Sequence, residues 1–449
     1  MKIPLLNGFD EVAFEKYFKN TSWLMFGKLL SMVVSFVIAK YLQPASFGDL
    51  SFADAFTAIL AAIGTLGLDS FIIREIINEP NKRDEILGTS LLMRLGTNLL
   101  LVPITVGIFV LFYHDAKKPV DALTWMILIL SLVSFFKSFN VIDSYFQSQV
   151  QSKFVVYIQN ICIIISAVVK ILLVVFKLPL IYFAGSLTFD SFILAIGLIF
   201  MYQRQGFRLA NLTFNTSRAY QLLKKSSPLI LSAIMISIYM KIDQVMLKNV
   251  GSVEVGIYSA AARLSEAWYF IPVAIVTSVF PAIIQARKTD LERYKKRIRN
   301  LYDLLVFISL PGALAVSFCG TFIIQLLYGN MYEGAGPMLS VHIWSGIFVF
   351  LGSASSQYLL AEGFTMISFQ RTAMGAIVNI LLNLYLIPKY GGMGASFATL
   401  IACFVSTFYL LLIPRTRQQG ILMLESILLL TLIQKIYILI NSNRNNDVK

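Results

Sequence analysis

The sequence predicts an all-α polytopic membrane protein of about 12 transmembrane helices, arranged as two parallel six-helix lobes around a central cavity. Four observations predict it. Of the 449 residues, 57% are hydrophobic and only 14% charged, with a mean hydropathy of +0.74; a soluble chain of this size carries more charge. The apolar residues come in runs of about 20, the length that crosses ~30 Å of hydrocarbon at 1.5 Å per residue. The runs are continuous rather than alternating, which excludes a membrane barrel. Finally, the chain repeats itself at a distance of six spans.

The runs place spans at about 22–42, 47–73, 88–112, 120–142, 155–176, 179–202, 228–248, 256–285, 301–325, 336–361, 368–388 and 392–413. Residues 1–21 lack a cleavage site and read as an N-terminal cytoplasmic or interfacial segment. Spans 1–6 form an N-lobe over 22–202, followed by a basic cytoplasmic linker, 203–227. Spans 7–12 form a C-lobe over 228–413. The tail 414–449 holds a further apolar stretch, 420–440, with Glu425, Gln434 and Lys435 in it. Those polar residues favour an interfacial segment over a thirteenth span.

Orientation follows from the cations. With the N-terminus inside, the inner segments hold 22 Lys and Arg, among them Lys82, Arg83, Arg218, Lys224, Lys225, Arg293, Lys295, Lys296 and Arg299. The outer segments hold 6, such as Lys40, Lys177, Lys248 and Lys389. The net charge of +13 is thus a cytoplasmic-loop excess and does not indicate nucleic acid. The expected location is the bacterial cytoplasmic membrane, multi-pass, N-terminus cytoplasmic.

The repeat is carried by "VIAKYLQPASFGDLSFA" (37–53) and "VMLKNVGSVEVGIYSAA" (245–261). At this offset Lys40 matches Lys248, Gly48 matches Gly256, Ser51 matches Ser259 and Ala53 matches Ala261. An even number of spans separates the copies, so they share one orientation, as in transporters built from parallel repeats.

Eleven charges fall inside spans, and each costs about 2.5–3.5 kcal/mol at mid-bilayer even on the lenient insertion scale. Lys241, Asp243, Arg263 and Glu266, with Asp54, lie in the outer third. Lys28, Asp69 and Arg94 form a second layer nearer the cytoplasm, and Asp190 lies near the midplane. Lys137 and Lys170 are close enough to span ends to snorkel. Lys241 with Asp243 and Arg263 with Glu266 read equally well as structural ion pairs, and Asp69 with Arg74 as a finish to span 2. The functional alternative is a wet cavity whose cations meet an anionic ligand while the acids balance them or carry a proton or Na⁺. Pro228 and Pro337 read as helix starts, and Pro103, Pro272 and Pro311 as interior kinks.

Other chemistry finds no support. There is no G-x-x-x-x-G-K-[ST] loop for ATP. Cys162, Cys319 and Cys403 have neither metal nor disulfide spacing. His114 and His342 stand too far apart to propose a site. No outer loop is large enough to house a polymerase or glycosyltransferase, so the expectation is a transporter, not an enzyme, with no cofactor beyond an H⁺ or Na⁺ for coupling.

Four stretches resemble a known family: "KNTSWLMFGKLLSMVVSFVIAKYLQPASFGDLSFADAF" (19–56), "LGLDSFIIREI" (66–76), "KIDQVMLKNVGSVEVGIYSAAARLSEAWYFIP" (241–272) and "VNILLNLYLIPKYGGMGASFATLI" (378–401). They are similar to the Wzx-type O-antigen and polysaccharide flippases of the multidrug/oligosaccharidyl-lipid/polysaccharide exporter superfamily. The resemblance covers about 15–413. It implies alternating access that carries an undecaprenyl-diphosphate-linked oligosaccharide between leaflets. The implied partners are that lipid, membrane lipids, and the polysaccharide polymerase and chain-length machinery. It implies cavity cations at Lys28, Lys241 and Arg263, with Asp69, Arg74 and Asp243 inside the matched motifs; the reading of the intramembrane charges adds Asp54, Asp190 and Glu266 to Asp69 and Asp243 as acids for balance or ion coupling, and sets Arg94 beside Arg74 as a gate or motif residue. An ion-coupled small-molecule exporter of the same fold is the alternative; a membrane enzyme of glycan assembly is a weaker one.

Overall fold

The computed structural model describes residues 11–113, 121–149 and 151–429, with the side chains of 11–26, 152, 278, 281–282 and 288 left out. Every described element is helical, because a chain in hydrocarbon must satisfy its backbone groups within each segment. Fifteen α-helices are described. They are α1 (Glu11–Gly64), α2 (Asp69–Asn78), α3 (Arg83–Tyr113), α4 (Ala122–Lys137), α5 (Val141–Ser148), α6 (Ser152–Val175), α7 (Leu180–Arg204), α8 (Thr216–Leu247), α9 (Ser252–Glu266), α10 (Phe270–Thr289), α11 (Leu291–Tyr328), α12 (Ala335–His342), α13 (Ser345–Ala361), α14 (Thr365–Phe408) and α15 (Arg417–Ile427). Among the described residues, nine continuous stretches are long and apolar enough to cross a membrane. Two of them hold two expected spans each. The helix α1 turns at Gln43, φ 59°, just before Pro44, and α14 turns at Gly391, φ 54°. Both turns are made at a positive φ with an extended ψ, 167° and −135°, which breaks the helical path in one residue.

Spans 2, 4, 8 and 10 are interrupted. Span 2 breaks at 65–68, span 4 at a tight 3-10 turn (Ser138–Asn140), span 8 at 267–269 and span 10 at 343–344. The second and fourth spans of each six-span set are therefore the broken ones, a structural echo of the sequence repeat. Pro272 is the third residue of α10, where a missing N–H costs nothing. Pro103 and Pro311 lie within the continuous α3 and α11. Pro228 departs from the expectation: it is interior to α8, which starts twelve residues earlier. Asn215 caps that start, its side chain accepting from Arg218 N at 3.1 Å.

The chain divides into two compact units. One is Asn20–Ala260 with Leu326–Tyr332; the other takes Ala261–Gln325 and the described residues from Glu333 on. The first packs around Leu68, Ile72, Ile86, Val141, Phe146 and Tyr202. The second packs around Ile283, Tyr302, Leu305, Phe350, Leu359 and Met423. Phe318, Leu111 and Phe112 are by contrast largely exposed, as lipid-facing side chains are.

The expected N-terminal surface segment lies partly outside the described residues, and from Glu11 the helix continues directly into span 1. Of the apolar tail stretch, only α15 and the two residues after it are described. That helix docks on the start of α11: Arg299 pairs with Glu425, Ser426 Oγ donates to Asp303 at 2.8 Å and Tyr302 Oη donates to Gln419 at 3.2 Å. The remainder, 430–440, lies outside the described residues.

Candidate functional site

The break in span 2 is written in "GTLGLD" (64–69). Leu66 and Gly67 both take positive φ, 52° and 57°. A Cβ on Gly67 would also lie 2.9 Å from Ile230 N, so glycine is needed for space as well as for conformation. Ending α1 there frees the Gly64 carbonyl, which accepts from Asn98 Nδ2 at 3.3 Å. The same amide donates to Ser138 Oγ at 3.0 Å, the first residue of the turn that interrupts span 4. One side chain on α3 thus ties the two interruptions together, satisfying backbone that would otherwise be orphaned. The approach requires Gly64, where a Cβ would sit 1.8 Å from Asn98 Oδ1.

The interruption also makes Asp69 the first residue of α2. A carboxylate is favourable there. It receives Arg94 Nη2 at 2.7 Å, with the arginine side chain 3% exposed and the aspartate 61% exposed. Arg94 and Asn98 stand four residues apart on one face of α3. They line a cavity of about 220 Å³ with Asp69, Thr65, Ser134 and Lys137. Arg94 Nε and Asn98 Oδ1 are buried with no hydrogen-bond partner, a costly state that a ligand or water in the cavity would relieve. Two cations face one carboxylate, so the cavity is net positive. Its volume is below the ~300–1,000 Å³ of drug-sized pockets. It has room for a phosphate or a single ring, not for an oligosaccharide.

In the other unit the equivalent interruptions are filled. Trp268 wedges between Gly312, whose Cβ would lie 2.3 Å from the indole, and Gly346, whose Cβ would lie 3.2 Å away. His342 Nδ1 lies 2.9 Å from Ser265 Oγ, and the Tyr269 and Ser345 hydroxyls are 3.0 Å apart.

Among the sequence-expected residues, Asp69 and Arg94 meet in this cavity. Arg74 does not join them: it is exposed, 3.8 Å from Glu75, with its guanidinium over the Phe71 ring at 4.7 Å. The reading of Asp69 with Arg74 is thus replaced by Asp69 with Arg94. Asp190 pairs with Lys170 across α7 and α6. Asp243 is buried and accepts from Tyr258 Oη at 2.7 Å. Asp54 and Lys241 are half-buried on α1 and α8, and Lys28 is exposed on α1. Arg263 and Glu266, half-buried on the last turn of α9, belong to the second unit. Asn98 escaped the sequence reading because an uncharged amide in an apolar run carries no cost signal. Lys137 was read as snorkelling, and the structure puts it in the cavity wall. The motif "LGLD" was the available clue.

Two charged clusters lie at opposite ends of α8 within the first unit. At the basic end, Arg218 is buried among three carboxylates: Glu79 at 2.9 Å, Glu85 at 3.2 Å and Glu75 at 3.5 Å. Lys82 adds to Glu79 at 2.8 Å and Lys225 to Glu75 at 3.4 Å. The hydrogen bonds from Arg218 and Lys82 pull the Glu79 carboxyl down to about 2. At the other end, Lys248 pairs with Asp49 at 2.5 Å.

The described chain is a multi-span helical bundle with interrupted spans and a charged cavity inside an apolar region, and its fold is the one shared by structures of the multidrug/oligosaccharidyl-lipid/polysaccharide exporter (MOP) superfamily. The chain matches "Lipid II flippase MurJ, inward closed conformation" with a TM-score of 0.70 at 16% identity over 93% of each chain. It matches an inward-facing multidrug resistance MATE family transporter of the MOP superfamily with a TM-score of 0.67 at 14% identity, over 88% of this chain and 95% of that one. The profile of the family described as "Polysaccharide biosynthesis protein" matches residues 16–287, well over half the chain, and that of MatE matches 228–385. The chain therefore belongs to the polysaccharide biosynthesis protein family.

Among curated relatives, the "Probable flippase AglR" of Haloferax volcanii is 29% identical over 152 residues, 33% of this chain and 32% of that protein. The match thus spans about a third of AglR. The "Capsular polysaccharide biosynthesis protein CapF" of Staphylococcus aureus is 21% identical over 86% of this chain and 96% of its own length.

Proposed function

We propose that the protein is a flippase that moves an undecaprenyl-diphosphate-linked oligosaccharide across the bacterial cytoplasmic membrane by alternating access. The observation that carries the reading is the pair of interrupted spans closing on Arg94, Lys137 and Asp69. Two cations against one acid suit an anionic group, and the size suits a phosphate or one acidic sugar rather than the whole cargo. Diphosphate charge cannot cross bare hydrocarbon, so a path lined with cations lowers that barrier. Lys28, Lys241 and Arg263 add positive potential along the path in this reading. Asp54, Asp190, Asp243 and Glu266 are the acids through which H⁺ or Na⁺ would couple. The relatives named as a flippase and as a capsular polysaccharide biosynthesis protein support the cargo class.

Alternating access needs seams that open in turn. The Arg218 cluster and the Lys248–Asp49 pair fill that role at opposite ends, the former on the cytoplasmic side by the excess of cations there.

The test is reconstitution in liposomes with a short polyprenyl-diphosphate oligosaccharide, reading glycan exposure in the opposite leaflet with and without an H⁺ or Na⁺ gradient. Protein-dependent exposure that falls in Lys137→Gln, an exposed position whose change spares the core, is the expected result. Exposure unchanged in Lys137→Gln would remove the cavity from the path. No exposure from folded protein, together with gradient-driven efflux of an organic cation, would replace the reading with the small-molecule exporter that the MatE match also fits.

A further inference from the structure

A second polar concavity lies in the other unit, where α15 docks on the first turns of α11. These turns are amphipathic. Tyr294, Ile298, Leu301 and Tyr302 are buried in the core, which turns Arg293, Lys295 and Lys296 outward. Between them and α15 runs a groove of about 570 Å³, into which Gln418 and Gln419 also face. That volume falls in the range of small-molecule sites.

Two acids, Asp290 and Glu292, line this groove with four cations, Arg293, Lys295, Lys296 and Arg299, and each acid near it is engaged within the protein itself. Asp290 caps α11, accepting from Arg293 N at 3.0 Å. Glu292 pairs with Lys295 at 2.9 Å, and Glu425 pairs with Arg299. Among the described residues, the head groups of Arg293 and Lys296 have no such partner. Two uncommitted cations and two side-chain amides therefore face one concave space.

Its level in the chain matters as much as its charge. The continuous apolar part of α11 begins at Leu304, just after Asp303 and five residues after Arg299. The groove thus sits where helix leaves hydrocarbon, the level of lipid phosphates. Leu291, which starts α11, and Ile421 and Leu428, on α15 and just after it, are exposed, at 57%, 43% and 62%. Cations beside exposed leucines at that level are the signature of a surface that takes a charged headgroup while its leucines meet acyl chains.

We infer that the α11–α15 groove binds the phosphate headgroup of a membrane lipid, with Arg293 and Lys296 as its cationic contacts and the Gln418 and Gln419 amides as donors. Arginine offers a bidentate fork to a phosphate. Two chemical sources share this headgroup: an acidic glycerophospholipid and an isoprenoid diphosphate. The inference stands apart from the transport cavity and does not depend on what that cavity carries.

The experiment titrates full-length protein in non-ionic detergent with phosphatidylglycerol, phosphatidylcholine, farnesyl diphosphate and inorganic phosphate, and reads the dissociation constant from the shift in unfolding midpoint. Arg293→Gln/Lys296→Gln is expected to bind roughly 30-fold more weakly, the factor that two interfacial cations contribute. Lys224→Gln/Arg415→Gln removes equal charge at two residues that do not line the groove and is expected to bind as the parent does. Phosphatidylglycerol sensitive to the first variant alone supports the site with a phospholipid occupant. Farnesyl diphosphate showing that pattern instead supports it with an isoprenoid occupant. Equal weakening in both variants, no weakening in either, or inorganic phosphate binding as tightly as the lipids would overturn it. Lys296→Gln alone, expected to lose about 5-fold, serves if the double variant does not fold.

Discussion

Gly48 and Gly256 occupy equivalent places in the two copies of the repeat, and each lies against the other copy's backbone. A Cβ on Gly48 would sit 1.8 Å from Ser252 O, and a Cβ on Gly256 would sit 1.9 Å from Pro44 O. Ser252 and Pro44 are themselves repeat equivalents, so the contact is reciprocal, as at a two-fold axis. It is made of backbone, so neither side can yield by changing a rotamer. Either Gly48→Ala or Gly256→Ala is expected to cost about 1–3 kcal/mol through overpacking, with similar effects from both. Thermal unfolding in detergent measures this. A silent alanine at either position would mean that the seam is not a close contact of the stable state.

Arg218 is expected to be the most sensitive residue of the basic end. Arg218→Gln takes the guanidinium from Glu79 and Glu85 and leaves the Glu75 carboxylate, on a residue 6% exposed, with only Lys225 at 3.4 Å and the exposed Arg74 at 3.8 Å. Breaking such a pair costs about 3–5 kcal/mol. Glu75→Gln in the same chain should recover part of that loss, because the uncompensated charge goes with it. If the double variant is less stable than Arg218→Gln alone, the loss comes from packing and not from charge.

The same cluster fixes a pH dependence. The Glu79 carboxyl is held near 2 by Arg218 and then Lys82, against an ordinary 4.5. A group with a lowered folded pKa stabilises fully above its unfolded value and loses that contribution as pH falls through the folded one. The stability difference between the parent and Glu79→Gln should be flat from pH 7 to about 5. It should shrink below about 4.5 and be gone near 2. A difference that changes between pH 5 and 7 would place the responsible titration elsewhere.

Lys170 and Asp190 give a third prediction. They pair inside the apolar part of α6 and α7, with side chains 13% and 31% exposed. Asp190→Asn strands an ammonium in hydrocarbon and should destabilise by about 1–3 kcal/mol, toward the lower end of the buried-pair range because the pair is partly open. Lys170→Met/Asp190→Leu should sit closer to the parent than either single change. Chemical unfolding of the parent, Lys170→Met, Asp190→Leu and the double variant closes the cycle. Additive single changes would show that the two residues do not act as a pair.

Asn98→Leu keeps the volume of the side chain and removes its amide. The Gly64 carbonyl and Ser138 hydroxyl then lose a shared donor in a buried place, costing about 1–3 kcal/mol. The ends of the two broken spans should also loosen, read as faster hydrogen exchange at 64–68 and 138–140. Unchanged exchange there would mean that the amide does not hold the interruptions together.

Much of this architecture was legible in particular residues. Span positions, and the six-span repeat from Lys40 and Lys248 to Gly48 and Gly256, were readable directly. So was the need of Asp69 and Arg94 for polar partners, because each charge in an apolar run has a visible cost. The choice of Arg94 over Arg74 as the partner of Asp69 was not readable. Arg74 is five residues away in sequence, but it points to the surface once α2 begins at Asp69. Lys137 and Asn98 were missed for a related reason. One sits at a span end that turns out to adjoin a break, and the other is neutral.

What the sequence determined by itself is the class of molecule. Hydrocarbon demands long apolar helices and taxes each buried charge, and these demands are local, so a one-dimensional reading detects them. Where the helices break was decided only in three dimensions. A positive φ at Leu66 survives because Asn98, 32 residues on, satisfies the carbonyl it frees, and because Gly67 leaves room for Ile230. Backbone can leave the helix inside a membrane only where a distant side chain replaces the lost hydrogen bond, and that distance is set by the fold.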